Sequence, residues 1–333
     1  MYEQFYGLKE RPFDLVPNPR FLFLAPRHRE ALSNLQYGLT TPRGLTVLIG
    51  EAGTGKTTLV QSALAGLKDT TSRCVLITNP TLTRDEFYES LAAAFKLSPD
   101  AAKSKARFLV ELRRDLQEQA ARGVVSALIV DEAQSVPHEL LEEIRLLSNI
   151  ETTTAKLLNV VLAGQPELSD RLNDTSLRQL KQRISLRCEL KPMDLSETAS
   201  YIAGRIRIAG GRPERIFTQE AVAMIFAASG GLPRTVNVVC DNAMIGGFAE
   251  QQSPIPARIL REVCQDFDLS LAESALEAVR RKSEVATGPR PIEEKAGPRK
   301  RHEPSAAESP AARGELAEPM FGTVNRKRKF SFF

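Results

Sequence analysis

The run Gly50-Glu51-Ala52-Gly53-Thr54-Gly55-Lys56-Thr57, with Thr58 behind it, carries the spacing G-x-x-x-x-G-K-[ST]. Glycines let a loop wrap closely around a polyphosphate. Successive backbone N–H groups and a helix N-terminus then supply the positive potential that holds it. Lys56 would reach the β- and γ-phosphates and the Thr57 hydroxyl would ligate magnesium, so ATP and Mg2+ are the expected ligands. Leu128-Ile129-Val130-Asp131-Glu132, 75 residues after Lys56, is an apolar run ending in two carboxylates. Asp131 is expected to hold the magnesium through water, and Glu132 to polarise the water that attacks the γ-phosphate. A glycine-rich turn or a solvated acidic turn is the plain alternative for each run taken alone. Together, in this order, they read as a nucleotide-hydrolysing site.

Three further positions acquire roles from that reading. Ala163-Gly164-Gln165 ends another apolar run, which brings the Gln165 amide to the γ-phosphate, where it could orient the lytic water. Within Leu177-Arg178-Gln179-Leu180-Lys181-Gln182-Arg183, an arginine could enter a neighbouring subunit's site and supply transition-state charge. Arg183 is favoured over Arg178, and a solvated basic helix face is the alternative. Gly230-Gly231-Leu232-Pro233-Arg234 opens a helix with a cation in its first turn. That position opposes the helix dipole unless an anion lies opposite, and a γ-phosphate would be that anion.

The elements that must position these groups alternate along the chain. Strand-like runs at Leu45–Ile49, Arg73–Thr78, Val124–Val130, Leu157–Ala163 and Leu186–Leu190 are separated by helical patterns at 57–67, 84–95, 106–121 and 138–148. The order predicts an α/β fold with a parallel five-stranded sheet and flanking helices. The strand between the two nucleotide motifs separates this order from nucleotide kinases and Ras-like GTPases. From about Leu195 the pattern is purely helical, at 195–209, 218–228, 233–249 and 256–271. The expected organisation is an α/β nucleotide domain with an N-terminal extension over 1–190, a small all-α domain over 191–271, and a tail over 272–333. Prolines recur in that tail at 289, 291, 298, 304, 310 and 319 while large aliphatic residues thin out, so it is expected to be disordered. Phe13, Phe21 and Phe23 near the start suit either base stacking or core packing, and core packing is expected for each, as for Tyr37 and Met193.

Composition bounds the remaining possibilities. The 333 residues are enough for about two domains, and 42% hydrophobic with 26% charged residues excludes a fibrous or wholly disordered chain. The 45 Lys and Arg against 41 Asp and Glu are unevenly placed: 13 of the basic and 7 of the acidic residues lie from Arg280 onward, leaving the body slightly acidic. Cys74, Cys188, Cys240 and Cys264 are scattered, without metal-ligand spacing or the density of a disulfide framework. With no signal peptide and no apolar run long enough to span a bilayer, a reduced cytoplasmic protein is expected. Arg326-Lys327-Arg328-Lys329-Phe330-Ser331-Phe332-Phe333 suits peripheral contact with an anionic membrane, here the inner membrane, or with a partner. No specific nucleic acid is expected, since the body is acidic.

The set resembles the AAA+ ATPases, and more narrowly the ExeA/GspA (general secretion pathway protein A) group. The resemblance spans about residues 1–270. Its marks are Met1-Tyr2-Glu3-Gln4-Phe5-Tyr6-Gly7-Leu8 with Pro12-Phe13, Pro17-Asn18-Pro19, Asp131-Glu132-Ala133-Gln134, Gly164-Gln165-Pro166-Glu167-Leu168 and Gly231-Leu232-Pro233-Arg234. It implies a P-loop NTPase fold with a helical lid, Gln165 as sensor 1, Arg183 as the finger and Arg234 as sensor 2. By the same analogy the aromatic N-terminus lines the adenine pocket. The implied activity is ATP hydrolysis by a homo-oligomer, ring or spiral, that drives assembly of an envelope machine for type II secretion, pili or exopolysaccharide export. Longer members add a transmembrane helix and a peptidoglycan-binding domain, so the resemblance is to the standalone form. A transposition regulator of the TniB/TnsC kind shares the nucleotide motifs and is the runner-up, and a nucleotide-binding scaffold without turnover is a third class.

Overall fold

Five short apolar runs form one parallel sheet: β1 (Leu45–Gly50), β2 (Ser72–Ile77), β3 (Val125–Val130), β4 (Leu158–Gly164) and β5 (Ile184–Leu190), in the order β2-β3-β4-β1-β5. Every residue of β1 and β4 is buried, as a parallel sheet covered on both faces requires. The computed structural model describes residues 1–269 except 17, 68–70, 79 and 80. The tail, including its basic-aromatic end, lies outside the described residues.

Helices α1 (Pro26–Thr40) and α2 (Lys56–Ala65) cover one face, with Leu35, Leu39, Leu59 and Ala63 in a core against Leu48 and Ile129. The other face packs on α3 (Arg84–Ala94), α4 (Lys105–Ala121) and α5 (His138–Leu147) through Phe87, Leu91, Phe108, Leu112 and Ile144. Two short helices not read from the sequence, α6 (Pro166–Leu172) and α7 (Arg178–Lys181), lead into β5. Beyond it lie α8 (Leu195–Ile208), α9 (Pro213–Ile216), α10 (Gln219–Ser229), α11 (Pro233–Ala249) and α12 (Ala257–Asp266). A capping box opens α8: the Asp194 carboxylate accepts from the Glu197 amide and the Glu197 carboxylate from the Asp194 amide.

The first residues of the chain bury their side chains in that helical bundle rather than against the sheet. Tyr2, Tyr6, Leu8, Phe13 and Phe21 share a core with Met193, Ile202, Ile225, Val239 and Leu260. Core packing therefore holds for Phe13, Phe21 and Met193, but Tyr37 departs from it, being 42% exposed. The core face of α1 is Ala31, Leu35 and Leu39, and a residue two positions from Leu35 points to the far side of the helix. Its ring lies beneath the Arg43 guanidinium at 5.2 Å.

One buried carboxylate was not anticipated. Glu143, on α5, accepts from Lys105 Nζ at 2.7 and 2.8 Å, from Arg84 and from the Tyr88 hydroxyl. Burial pushes its pKa up, but the Lys105 and Tyr88 hydrogen bonds and the Lys105 and Arg84 charges outweigh it, holding the carboxyl below its ordinary value. A depressed folded-state pKa adds stability that is present above the unfolded value and lost as pH falls through the folded one. Glu143→Gln should cost about 2 kcal/mol at pH 7, less than the roughly 3–5 kcal/mol of a fully buried pair because both cations stay partly hydrated. Urea melts of both proteins should converge as the solution is acidified below the ordinary carboxylate range. A constant gap would contradict the ionic account.

Candidate functional site

The strand order brings three C-terminal strand ends together. β4 lies between β1 and β3, with Ile49 opposite Gly164 and Leu162 opposite Val130. The loop after β1, the Asp131-Glu132 pair and Gln165 thus share the sheet's carboxyl edge, where open α/β folds bind ligands.

In the loop, Gly53 (φ +82°) and Gly55 (φ +95°) are left-handed, and a Cβ on Gly53 would lie 2.9 Å from that of Arg234. Lys56 starts α2 and turns its Nζ back to the carbonyls of Gly50 and Glu51, at 2.8 and 3.0 Å. Burial lowers its pKa, against the opposing charges of Glu132, Asp131 and Glu167. The Thr57 hydroxyl donates to Asp131 Oδ2 at 2.7 Å, and the Glu132 amide to Asp131 Oδ1 at 2.9 Å. A hydroxyl beside a carboxylate is an oxygen-donor set that suits Mg2+. Glu132 sits at φ +53°, a conformation that costs a non-glycine residue free energy and clusters at functional sites. Its Oε2 accepts from the Gln134 amide at 2.6 Å and from the Gln165 amide at 3.4 Å.

A cleft of about 360 Å³ opens beside this edge. Gly53–Thr58 and Glu132 line one part of it, Asp14–Val16 and Phe21–Phe23 another, and Tyr201, Arg205, Arg234 and Asn237 of the bundle close it. Arg234, in the first turn of α11, is exposed and donates its amide to the Gly53 carbonyl at 3.2 Å. Glycines, a buried lysine, helix N-termini and a free cation on one side suit a polyphosphate. Aromatic and aliphatic side chains on the other suit a flat, less polar group.

Residues 40–172 match the family model described as AAA domain. General secretion pathway protein A of Aeromonas hydrophila is 42% identical over 250 residues. The chain carries an AAA domain and is similar to general secretion pathway protein A. The match covers 75% of this chain and 45% of that protein, so the chain spans less than half of its relative's length. Among solved structures, Cdc6p of Pyrobaculum aerophilum has a TM-score of 0.59 at 19% identity, covering 77% of this chain and 70% of that one. The Aeropyrum pernix ORC2 protein has a TM-score of 0.57 at 16% identity, covering 77% and 71%. A Drosophila ORC chain has a TM-score of 0.61 at 19% identity, covering 81% and 66%. At such identities the likeness is one of fold.

In this chain the nucleotide-motif residues expected from sequence lie together, with differences of detail. Glu51 and Ala52 are exposed and do not line the cleft, Glu51 contributing its carbonyl to Lys56. Arg183 is not at the site of its own chain. It is exposed and immediately precedes Ile184, which pairs with Leu45 at the start of β1, so it sits at the opposite sheet edge. Five strand residues at about 3.3 Å each set it roughly 16 Å from the loop. Arg178 is exposed as well.

Several cleft residues escaped the sequence reading. His28 approaches the Thr54 carbonyl at 3.3 Å from within α1. Gln134 joins two motifs, accepting from the Gln165 amide N–H at 3.0 Å while donating to Glu132. Its own carbonyl accepts from Arg171 at 2.5 Å. Gln134 was visible only as the fourth letter of a motif, because its part depends on how closely β3 and β4 lie. Tyr201, Arg205 and Asn237 carry no sequence signal that separates them from other helical residues.

Proposed function

We propose that this chain hydrolyses ATP and uses the cycle to assemble or remodel a bacterial envelope machine, such as a type II secretion apparatus, a pilus or an exopolysaccharide exporter. The observation that carries the chemistry is the position of Glu132, in the cleft, beside the Thr57–Asp131 pair and bonded to Gln165. In this reading Gly53–Thr58 cradle the phosphates and Lys56 reaches the outer two. Thr57 and Asp131 hold Mg2+, which when bound draws charge from the phosphate oxygens. Glu132 takes a proton from the attacking water, Gln165 orients that water, and Arg234 brings the helical bundle of α8–α12, with Tyr2–Phe21 packed into it, down as a lid on the sheet. The envelope role is supported by the identity to general secretion pathway protein A. The basic-aromatic end, Arg326–Phe333, is the segment for a peripheral contact at the inner membrane or with an envelope partner.

The distance of Arg183 from its own cleft supports action in a neighbouring subunit, hence a homo-oligomeric ring or spiral. Specific ATPase activity should rise with protein concentration, and Arg183→Ala should lower turnover by about 10³-fold, the usual worth of an arginine finger. ATP binding should persist, and Arg178→Ala should be mild. Concentration-independent activity that survives Arg183→Ala would overturn the in-trans reading. Stimulation by DNA with steep salt dependence would overturn the envelope role in favour of a transposition regulator.

A further inference from the structure

Side chains two positions apart on a regular helix do not face each other, yet Gln134 Nε2 donates to Glu132 Oε2 at 2.6 Å. Two features of the backbone make that contact. Glu132 is left-handed, at φ +53°, and Ala133–Ser135 then form a single 3-10 turn anchored by the fully buried Ala133. The rest of Gln134 is fixed from the neighbouring strand and helix. Its Oε1 accepts the Gln165 backbone N–H at 3.0 Å, and its own carbonyl accepts from Arg171, on α6, at 2.5 Å. Gly164 makes room for the amide, since a Cβ there would lie 3.0 Å from Gln134 Oε1.

The chemistry asks for an amide at this position. One end must donate to a carboxylate while the other accepts from a backbone N–H, and a glutamine does both with one planar group. Hydrogen bonds to a charged acceptor are the short, strong ones. At 2.6 Å the Gln134 bond is the tighter hold on Glu132, for the Gln165 amide reaches the same oxygen only at 3.4 Å, beyond the usual hydrogen-bond range. Both contacts fall on Oε2. Among the described residues, Oε1 of Glu132 receives no donor, which leaves it open to a water.

We infer that Gln134 is a positioning residue for hydrolysis: it clamps one oxygen of Glu132 to the corner between β4 and α6, so that the other meets the attacking water. The inference rests on reading Glu132 as the base and adds what holds that base in place. Gln165 is then left to orient the water.

The test measures ATP hydrolysis, in steady state and single turnover, and ATP binding for the full chain, Gln134→Met and Gln134→Asn. Each change is also combined with Glu132→Gln. Methionine keeps the length and loses both hydrogen bonds, whereas asparagine keeps the amide but is one methylene too short to span them. Each should lower kcat about 10–100-fold, the worth of one hydrogen bond to a charged group. KM for ATP and ATP affinity should stay within about twofold of wild type, because the interaction serves the chemical step alone. Beside Glu132→Gln there is no base to place, so either change should leave the residual rate nearly unaltered, the mark of groups that act as a unit. A folded Gln134→Met that turns over ATP like wild type overturns the inference, as does a kcat loss that persists undiminished beside Glu132→Gln. A rise in KM that matches the fall in kcat would show a loosened site and overturn it too. If Gln134→Met does not fold, Gln134→Asn decides by the same criteria. Should Glu132→Gln itself keep the wild-type rate, the reading of Glu132 as the base fails and the inference with it. A slow Glu132→Gln beside a silent Gln134→Asn sinks the inference alone.

Discussion

Glu132→Gln should lower ATP turnover by roughly 10²–10⁴-fold, the usual worth of a general base, with ATP binding retained. Glutamine keeps the length and an oxygen that can accept from the Gln134 and Gln165 amides, which now bond Glu132 Oε2 at 2.6 and 3.4 Å. It cannot take a proton from water. The loss is therefore one of chemistry, with the shape of the site preserved. Glu132→Asp keeps the carboxylate but withdraws it by one methylene, away from both amides, and should also be slow. The check is single-turnover and steady-state hydrolysis beside equilibrium ATP binding. A Glu132→Gln protein that turns over ATP at a rate close to wild type would mean that nucleotide serves as a structural ligand and the chain as a scaffold.

The second large effect is on folding. Gly231 sits at φ +77°, and a Cβ there would lie 1.9 Å from the Met193 carbonyl oxygen and 2.9 Å from its carbon. The same two residues are tied by a hydrogen bond from the Met193 amide to the Gly231 carbonyl at 3.0 Å. The contact is backbone on backbone, so no rotamer relieves it. Gly231→Ala should cost at least about 4 kcal/mol, in the range reserved for a forced clash added to left-handed strain. Gly230 is the control: it too is left-handed, at φ +58°, yet nothing lies within 4 Å of its added Cβ, so Gly230→Ala should cost only about 1 kcal/mol. Denaturant melts of both variants would separate the terms. Equal losses would show that the approach to Met193 does not constrain the turn. The clash lies three residues before Arg234, so Gly231→Ala should also displace the cation that closes the cleft.

How far the sequence carried the reading depends on the physical range of each signal. The phosphate loop and the Asp131-Glu132 pair were legible because each is a strand followed at once by its functional residues. The parallel sheet was legible because strands and helices alternate with the right lengths. Arg183 was recognised as a candidate, but its place at the far edge depends on the pairing of Ile184 with Leu45, which no local pattern encodes. Arg205 and Arg207 are two residues apart on one helix and alike in type. One is buried behind the cleft and the other is 63% exposed at its side chain, and only packing tells them apart. The same holds for Phe13, whose partner Phe217 lies more than two hundred residues away at 6.3 Å between ring centroids.

That long reach has a consequence for how the chain is made. Tyr2, Tyr6, Phe13 and Phe21 emerge from the ribosome well before their packing partners, which extend from Met193 to Val263. At about 5–20 residues per second, they wait roughly 10–50 s for those partners, while the sheet between can already close. These aromatics are seated only once the bundle forms, and until then they are exposed apolar surface. A slow folding step and vulnerability to aggregation during synthesis follow from stitching Tyr2–Phe21 into a bundle whose helices are translated so much later.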